Sequence, residues 1–256
     1  MLERPTCSIP TGLPSLPAIR IGTVTELVGP AGAGKTQLAL QLCLQSARSG
    51  YGTVYLDTEQ KLSLKRLEEM ARETCEEGNY LYDDGPIEGP RFRSAQTVLE
   101  NLVVYTPTNT DQLLERLHTA EEVIVMRENM RLLVLDSIAA PARRDYSSPG
   151  PRAVAVLRCA QVLKRLASQL RVAVVVINQV GTGEDRATLG TSWHHCVSTR
   201  IVVENDGLND PSNLSRRLHV TKSHLYASGK TIEFRISKVG ITEILASELK
   251  HHLNES

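Results

Sequence analysis

Gly29-Pro30-Ala31-Gly32-Ala33-Gly34-Lys35-Thr36 is the stretch that decides how this chain is read. It fits G-x-x-x-x-G-K-[ST], a loop whose backbone cradles phosphate. Its flanks agree with that reading. Thr23-Val24-Thr25-Glu26-Leu27-Val28 reads as a strand entering the loop. Lys35 to Arg48 reads as a helix leaving it, with Leu38, Leu42 and Leu44 among its apolar residues. Glycine lets the backbone bend so that several N–H groups point at phosphate oxygens. The helix N-terminus adds partial positive charge at the same place. Lys35 is then suited to reach the β- and γ-phosphates, and the Thr36 hydroxyl to ligate Mg²⁺. A chance glycine-rich turn is the competing reading, and it gives no reason for a strand before the loop and a helix after it.

Strands and helices alternate outward from this loop. Strands are expected at residues 53–57, 102–105, 132–136 and 172–177, and helices at 62–77, 109–129 and 152–170. That alternation predicts an α/β fold with a mostly parallel central sheet flanked by helices. The strand at 172–177, Val-Ala-Val-Val-Val-Ile, reads as buried on both faces. After Asn205 the rhythm changes to short strands at 218–221, 232–236 and 241–244, expected to form an antiparallel C-terminal extension. Residues 1–20 hold Pro5, Pro10, Pro14 and Pro17 and read as a lead-in segment. The expected organisation is that lead-in, one α/β domain over 21–247 and a tail over 248–256.

Composition bounds the class. A chain of 256 residues can bury a large core as one domain. Lys+Arg and Asp+Glu are both 29, so the whole chain lacks the basic balance of a strong nucleic-acid binder, which leaves room only for a local patch. No apolar run reaches the roughly 18 residues of a membrane span, and Met1-Leu2-Glu3-Arg4-Pro5 lacks the apolar core of a secretory signal. Cys7, Cys43, Cys75, Cys159 and Cys196 are scattered without a C-x-x-C pair. That spacing argues against zinc and disulfide frameworks and for a reducing compartment.

Two acids extend the phosphate loop into a site. Asp136 ends the apolar run Leu132-Leu133-Val134-Leu135, and an acid at the carboxyl end of a central strand can hold Mg²⁺ or its water. Glu59 closes Tyr55-Leu56-Asp57-Thr58-Glu59. Asp57 and Glu59 share one face if that strand continues. A carboxylate near the γ-phosphate can orient and deprotonate an attacking water. By composition alone Glu59 reads equally well as a solvated loop acid.

At this point the sequence resembles the RecA/RadA recombinase family, and within it the eukaryotic paralogues of the strand-exchange recombinase. The matching stretches are Gly34-Lys35-Thr36-Gln37, Tyr55 to Glu59, Lys65-Arg66-Leu67, Val134 to Pro141 and Val176-Ile177-Asn178-Gln179-Val180. Leu189-Gly190-x-x-Trp193 with Ser198-Thr199-Arg200 is a pattern typical of the paralogues. The matches run in family order from Gly22 to the C-terminal strands, and they mix features of several paralogue subtypes.

The resemblance implies a RecA-like ATPase core that binds ATP with Mg²⁺. It puts Glu59 on the catalytic glutamate, and Arg66 on an arginine that stacks on adenine, where a planar guanidinium suits a π-face. It puts Gln179 on a γ-phosphate sensor that reports to the second DNA-binding loop. It puts Lys222 on a lysine that reaches a neighbouring subunit's nucleotide. Plainer readings stand beside the last three: a solvated helix arginine, a polar strand terminus and a surface lysine. The first DNA-binding loop falls after Pro141 and keeps Arg143, Arg144 and Arg152. The second, Gly181 to Thr188, has Arg186 as its one basic residue, and Tyr146 is the single aromatic candidate for base stacking. So few cations imply weak, salt-sensitive DNA binding.

Relative to the recombinases, the helical N-terminal domain and the Phe-x-x-Ala linker are not found in their usual place. A Phe-x-x-Ala at Phe92-Arg93-Ser94-Ala95 is of the kind that plugs the recombinase's subunit interface; a chance match, with Phe92 packing on the sheet, is the better reading. The function implied is that of a nuclear ATP-binding accessory factor in homologous-recombination DNA repair. Its expected ATPase is slow and DNA-stimulated. Its expected partners are other recombinase paralogues, the recombinase itself, and single-stranded or branched DNA. The alternatives are an autonomous DNA-dependent motor or recombinase, and a scaffold without turnover. Intact Lys35, Thr36, Asp136, Glu59 and Gln179 argue against the scaffold.

Overall fold

A computed structural model describes residues 8–76, 95–179, 190–205, 216–223, 229 and 231–244. In chain order the elements begin with β1 (Ser8–Ile9), β2 (Ile19–Arg20), β3 (Val24–Gly29), α1 (Lys35–Arg48), β4 (Gly52–Asp57) and α2 (Leu64–Glu76). They continue with α3 (Ala95–Glu100), β5 (Leu102–Tyr105), α4 (Thr110–Met126), β6 (Met130–Asp136), α5 (Ala139–Asp145) and α6 (Pro149–Leu170). The last are β7 (Ala173–Gln179), α7 (Gly190–Cys196), β8 (Thr199–Asn205), β9 (Arg216–Lys222), β10 (Thr231–Ser237) and β11 (Gly240–Glu243).

Among the described residues, nine strands form one sheet in the order β11-β10-β9-β8-β3-β7-β6-β4-β5. The strands from β8 to β5 run parallel. The steps from β8 through β9 and β10 to β11 are antiparallel. This is a RecA-like α/β fold. Successive strand residues point to opposite faces, so each central strand feeds two cores. Leu27, Tyr55, Leu132, Val134 and Val175 face the cluster that holds the apolar residues of α1 and α2. Val54, Leu56, Leu133, Leu135, Val174 and Val176 face the cluster of α4, α5 and α6. Burial on both faces is why β7 is an unbroken apolar run up to Asn178.

Helix α1 and strand β5 begin and end where the sequence placed them. Asn109 caps α4, its Oδ1 accepting from Gln112 N at 2.8 Å. Strand β8 was not anticipated, because Thr199–Asn205 mixes polar and apolar residues; it pairs parallel with β3. The loop expected after Pro141 is in fact two helices joined at residues 146–148. Pro141 sits in the first turn of α5 and Pro149 at the first position of α6. A proline there sacrifices no bond, since the N–H has no intrahelical acceptor. Residues 8–20 pack into the core through Ile9, Leu13, Leu16 and Ile19, all buried. No helix among the described residues is long and apolar enough to cross a membrane.

The topology brings four strand ends to one edge. Gly29 lies opposite Gln179, Asp57 opposite Asp136, and Asp136 opposite Ile177. The carboxyl ends of parallel strands are where open α/β sheets bind ligands.

Candidate nucleotide-binding site

Backbone geometry explains two of the loop glycines. A Cβ on Gly29 would lie 2.0 Å from the Val203 carbonyl oxygen of β8, so the close approach of those strands excludes any side chain. Gly34 has φ +110°, a conformation that L side chains rarely adopt, just where the loop turns into α1. Pro30, Ala31, Gly32 and Ala33 complete the turn. The Lys35 ammonium donates to the carbonyl oxygens of Gly29 at 2.8 Å and Pro30 at 2.6 Å. Burial pulls its pKa below the ordinary lysine value, and the charges of Asp136 and Glu59 push the other way.

Thr36 Oγ1 donates to Asp136 Oδ2 at 2.7 Å, so the expected metal-binding hydroxyl and carboxylate meet directly. Tyr55, fully buried in β4, donates its hydroxyl to the same oxygen at 3.1 Å. Burial raises the Asp136 pKa, and these two donors partly offset it. A hydroxyl and a carboxylate in contact are hard oxygen donors of the kind Mg²⁺ takes, usually alongside phosphate and water. The residues present therefore fit the ion.

Asp57 and Glu59 do not share a face. Strand β4 stops at Asp57, whose carboxylate accepts from the backbone N–H groups of Glu59, Lys61 and Leu62 at 3.3, 3.2 and 2.8 Å. Asp57 thus caps the turn that carries Glu59. Thr58 pins the turn to the neighbouring strand end, its Oγ1 donating to Ser137 O and accepting from Ser137 N, both at 2.8 Å. Ser137 Oγ then donates to Glu59 Oε1 at 2.8 Å, and Lys61 Nζ donates to Oε2. Burial raises the Glu59 pKa, but the hydrogen bonds from Lys61 and Ser137, with the charges of Lys61 and Arg143, outweigh it and hold the carboxyl below its ordinary value.

These groups line one cavity of about 220 Å³ bounded by Ala31, Gly32, Gly34, Lys35, Thr36, Gln37, Glu59, Lys61, Asp136, Ile177, Gln179 and Ile236. Arg66 stands beside it. Its Nε donates to Gln37 Oε1 at 3.1 Å and its Nη1 to Glu69 Oε2 at 2.7 Å, while its other bonds reach the carbonyls of Ser237 and Lys238. Arg143 and Arg144 project from α5, not from a loop. Arg144 Nη2 donates to Thr58 O at 2.7 Å and Arg143 Nη1 to Gln179 O at 3.4 Å. Both cations therefore border the Glu59 and Gln179 side of the cavity. Arg186 and Phe92 lie outside the described residues; Ala95 opens α3.

With this geometry in hand, the comparisons with known proteins are specific. A family model described as AAA domain matches residues 16–185. The DNA repair and recombination protein RadB of Methanobrevibacter smithii is 30% identical over 229 residues, covering 86% of this chain and 87% of that protein. This chain belongs to the RecA/Rad51 family. Other relatives in DNA repair include XRCC3 of Mus musculus, 32% identical over 214 residues, and RAD51 homolog 3 of Dictyostelium discoideum, 29% identical over 195. The aligned regions take in 73% and 70% of this chain but only 58% and 51% of those proteins. A crystal structure of the RadB recombinase superposes with a TM-score of 0.73 at 24% identity, over 93% of this chain and all of that one, which shows the shared fold. Archaeal and eukaryotic members both appear among the relatives, so they do not single out one subtype.

In this RecA/Rad51 member the pattern around Trp193 and Arg200 has a physical explanation that sequence reading missed. Glu26, in the middle of β3, is fully buried. Its Oε1 accepts from Asn178 Nδ2 and Trp193 Nε1, both at 2.8 Å, and its Oε2 from Arg200 Nε at 2.6 Å. An acid inside an otherwise apolar strand was the available signal, because a buried charge needs partners. Lys222 belongs to the same region: it pairs with Arg200 across β8 and β9. Its ammonium donates to His194 O at 2.5 Å and Val197 O at 2.6 Å, at the carboxyl end of α7. Burial, then the Arg200 charge, lowers its pKa.

Proposed function

We propose that this chain is an ATP-binding recombinase paralogue that works as an accessory factor in homologous-recombination repair. The observation that carries the reading is the meeting of Thr36 with Asp136 beside Lys35 and Glu59 in one cavity. In the proposed reaction the loop N–H groups and Lys35 hold the phosphates. Glu59 orients a water and takes its proton as the water oxygen bonds to the γ-phosphorus and the bond to the β-phosphate oxygen breaks. Mg²⁺, held by Thr36 and Asp136, would supply positive charge to the phosphate oxygens. Gln179 would report on the γ-phosphate. Arg66 would stack its guanidinium face on adenine, its N–H bonds lying in the plane and leaving the faces for stacking.

Arg143, Arg144 and Arg186 are the proposed DNA contacts. Two exposed arginines on α5 would neutralise few phosphates, so affinity should be low and fall with salt. Proposed partners are other recombinase paralogues or the recombinase, in the nucleus. The first test is titration with a fluorescent ATP analogue. Lys35→Ala should abolish binding, and unchanged affinity would sink the nucleotide-site reading. Turnover with and without single-stranded DNA, and light scattering with ATP, separate the roles. Slow turnover and a small oligomer support the accessory factor. Fast turnover or long filaments from this protein alone would replace it with a motor or autonomous recombinase.

A further inference from the structure

Lys61 is a cavity cation that the proposed reaction leaves unused. It lines the same space as Lys35, Thr36, Glu59 and Asp136. Its backbone N–H is fixed by Asp57 Oδ1 at 3.2 Å, so the base of the side chain is anchored at the rim. Its ammonium sits on Glu59 Oε2. The two partners differ sharply in exposure: the Lys61 side chain is 64% exposed and the Glu59 side chain 16%. The pair is therefore a long, solvated stem resting on a half-buried carboxylate that Ser137 holds independently through Oε1. Only the Lys61 end of the pair is solvated, so water can take up its ammonium when it leaves, while Ser137 keeps Glu59 in place. Lys61 also lies within electrostatic reach of Lys35 and Asp136.

Resting on the nucleotide-site reading above, we infer that Lys61 is a second phosphate-binding cation acting within its own chain: it moves from Glu59 to the terminal phosphate of a nucleoside triphosphate and frees Glu59 Oε2 to face water. Phosphoryl transfer spreads negative charge over the γ-oxygens, and a cation placed there lowers the barrier. Lys61 keeps its proton throughout. The water proton goes to Glu59, and the electron pair of the broken bond leaves with the diphosphate. A diphosphate offers no terminal group at that position, so Lys61 would remain on Glu59. The residue then discriminates triphosphate from diphosphate. It also fills in cis the charge that Lys222 was expected to supply in trans. Within this chain the Lys222 ammonium donates to the His194 and Val197 carbonyls.

The test uses the full chain with fluorescently labelled ADP and a labelled non-hydrolysable ATP analogue, followed by turnover with ATP. Lys61→Ala should weaken triphosphate binding about tenfold, the scale of one charged hydrogen bond. Diphosphate binding should be unchanged and turnover lower, with Lys61→Arg restoring part of both. Lys35→Ala should weaken both nucleotides. If Lys61→Ala leaves triphosphate and diphosphate affinities alike unchanged while Lys35→Ala reduces them, the Lys61 role is wrong and the site stands. Faster turnover in Lys61→Ala would make Lys61 a restraint on Glu59 and also overturn it. If Lys35→Ala changes neither nucleotide, the site reading falls and takes this inference with it.

Discussion

Glu26 lies within the parallel strand β3 and Glu59 on the turn after β4, and the protein treats these two glutamates oppositely. Glu26 is fully buried, and both its oxygens are taken by side chains fixed in β7, α7 and β8. Glu59 lies on a turn, is held on one side by buried Ser137, and is met on the other by the exposed Lys61. A carboxylate whose donors are all locked can only hold structure. One with a removable partner keeps an oxygen available for chemistry. Low dielectric around Glu26 makes its bonds strong and the loss of any of them costly.

The same substitution at both positions should therefore part them. Glu26→Gln removes the counter-charge of Arg200 and turns an amide N–H₂ toward either the Arg200 guanidinium or the donors of Asn178 and Trp193. Breaking a buried pair in this way costs about 3–5 kcal/mol. Thermal denaturation should show a melting point lower by roughly 10 °C for a chain of this size; an unchanged midpoint would mean the cluster bears no load. Trp193→Phe keeps the ring and deletes one donor to the charged oxygen, so the expected loss is about 1.5–3 kcal/mol. Denaturant unfolding measures it, with the midpoint moving and the slope constant.

Smallest is Lys222→Ala. It removes a partly solvated donor from the carboxyl end of α7, for about 1 kcal/mol or less. Lone-chain stability should fall slightly, with ATPase in a mixed assembly following only as far as folding does. A large loss of mixed-assembly ATPase at constant stability would support the trans role that the resemblance implies for Lys222.

The nucleotide side was legible because its signals are local. Gly29 to Thr36 is contiguous, and the Leu132–Leu135 run points straight at Asp136. The Glu26 cluster was not legible, because its partners lie 152, 167 and 174 residues away in sequence. Glu26 was read as one more strand residue, and Trp193 and Arg200 as a family pattern without a cause. The Tyr55 bond to Asp136 spans 81 residues and was invisible for the same reason. Arg143 and Arg144 were read as loop cations because the resemblance puts a DNA-binding loop after Pro141; Pro141 and Pro149 look as if they would keep that stretch from being helical. In the first turn of a helix they do not. Lys61 was adjacent to everything recognised, but an exposed lysine has no periodicity to betray its direction.

The most direct measurement is single-turnover ATP hydrolysis by Glu59→Gln beside nucleotide titration of the same protein. The substitution preserves shape and removes the base. Nucleotide binding and melting point should stay at the wild-type values, and hydrolysis should fall by about 10²–10⁴-fold, the scale of a lost general base. Hydrolysis at the wild-type rate would return Glu59 to an ordinary turn acid and contradict the account at its centre.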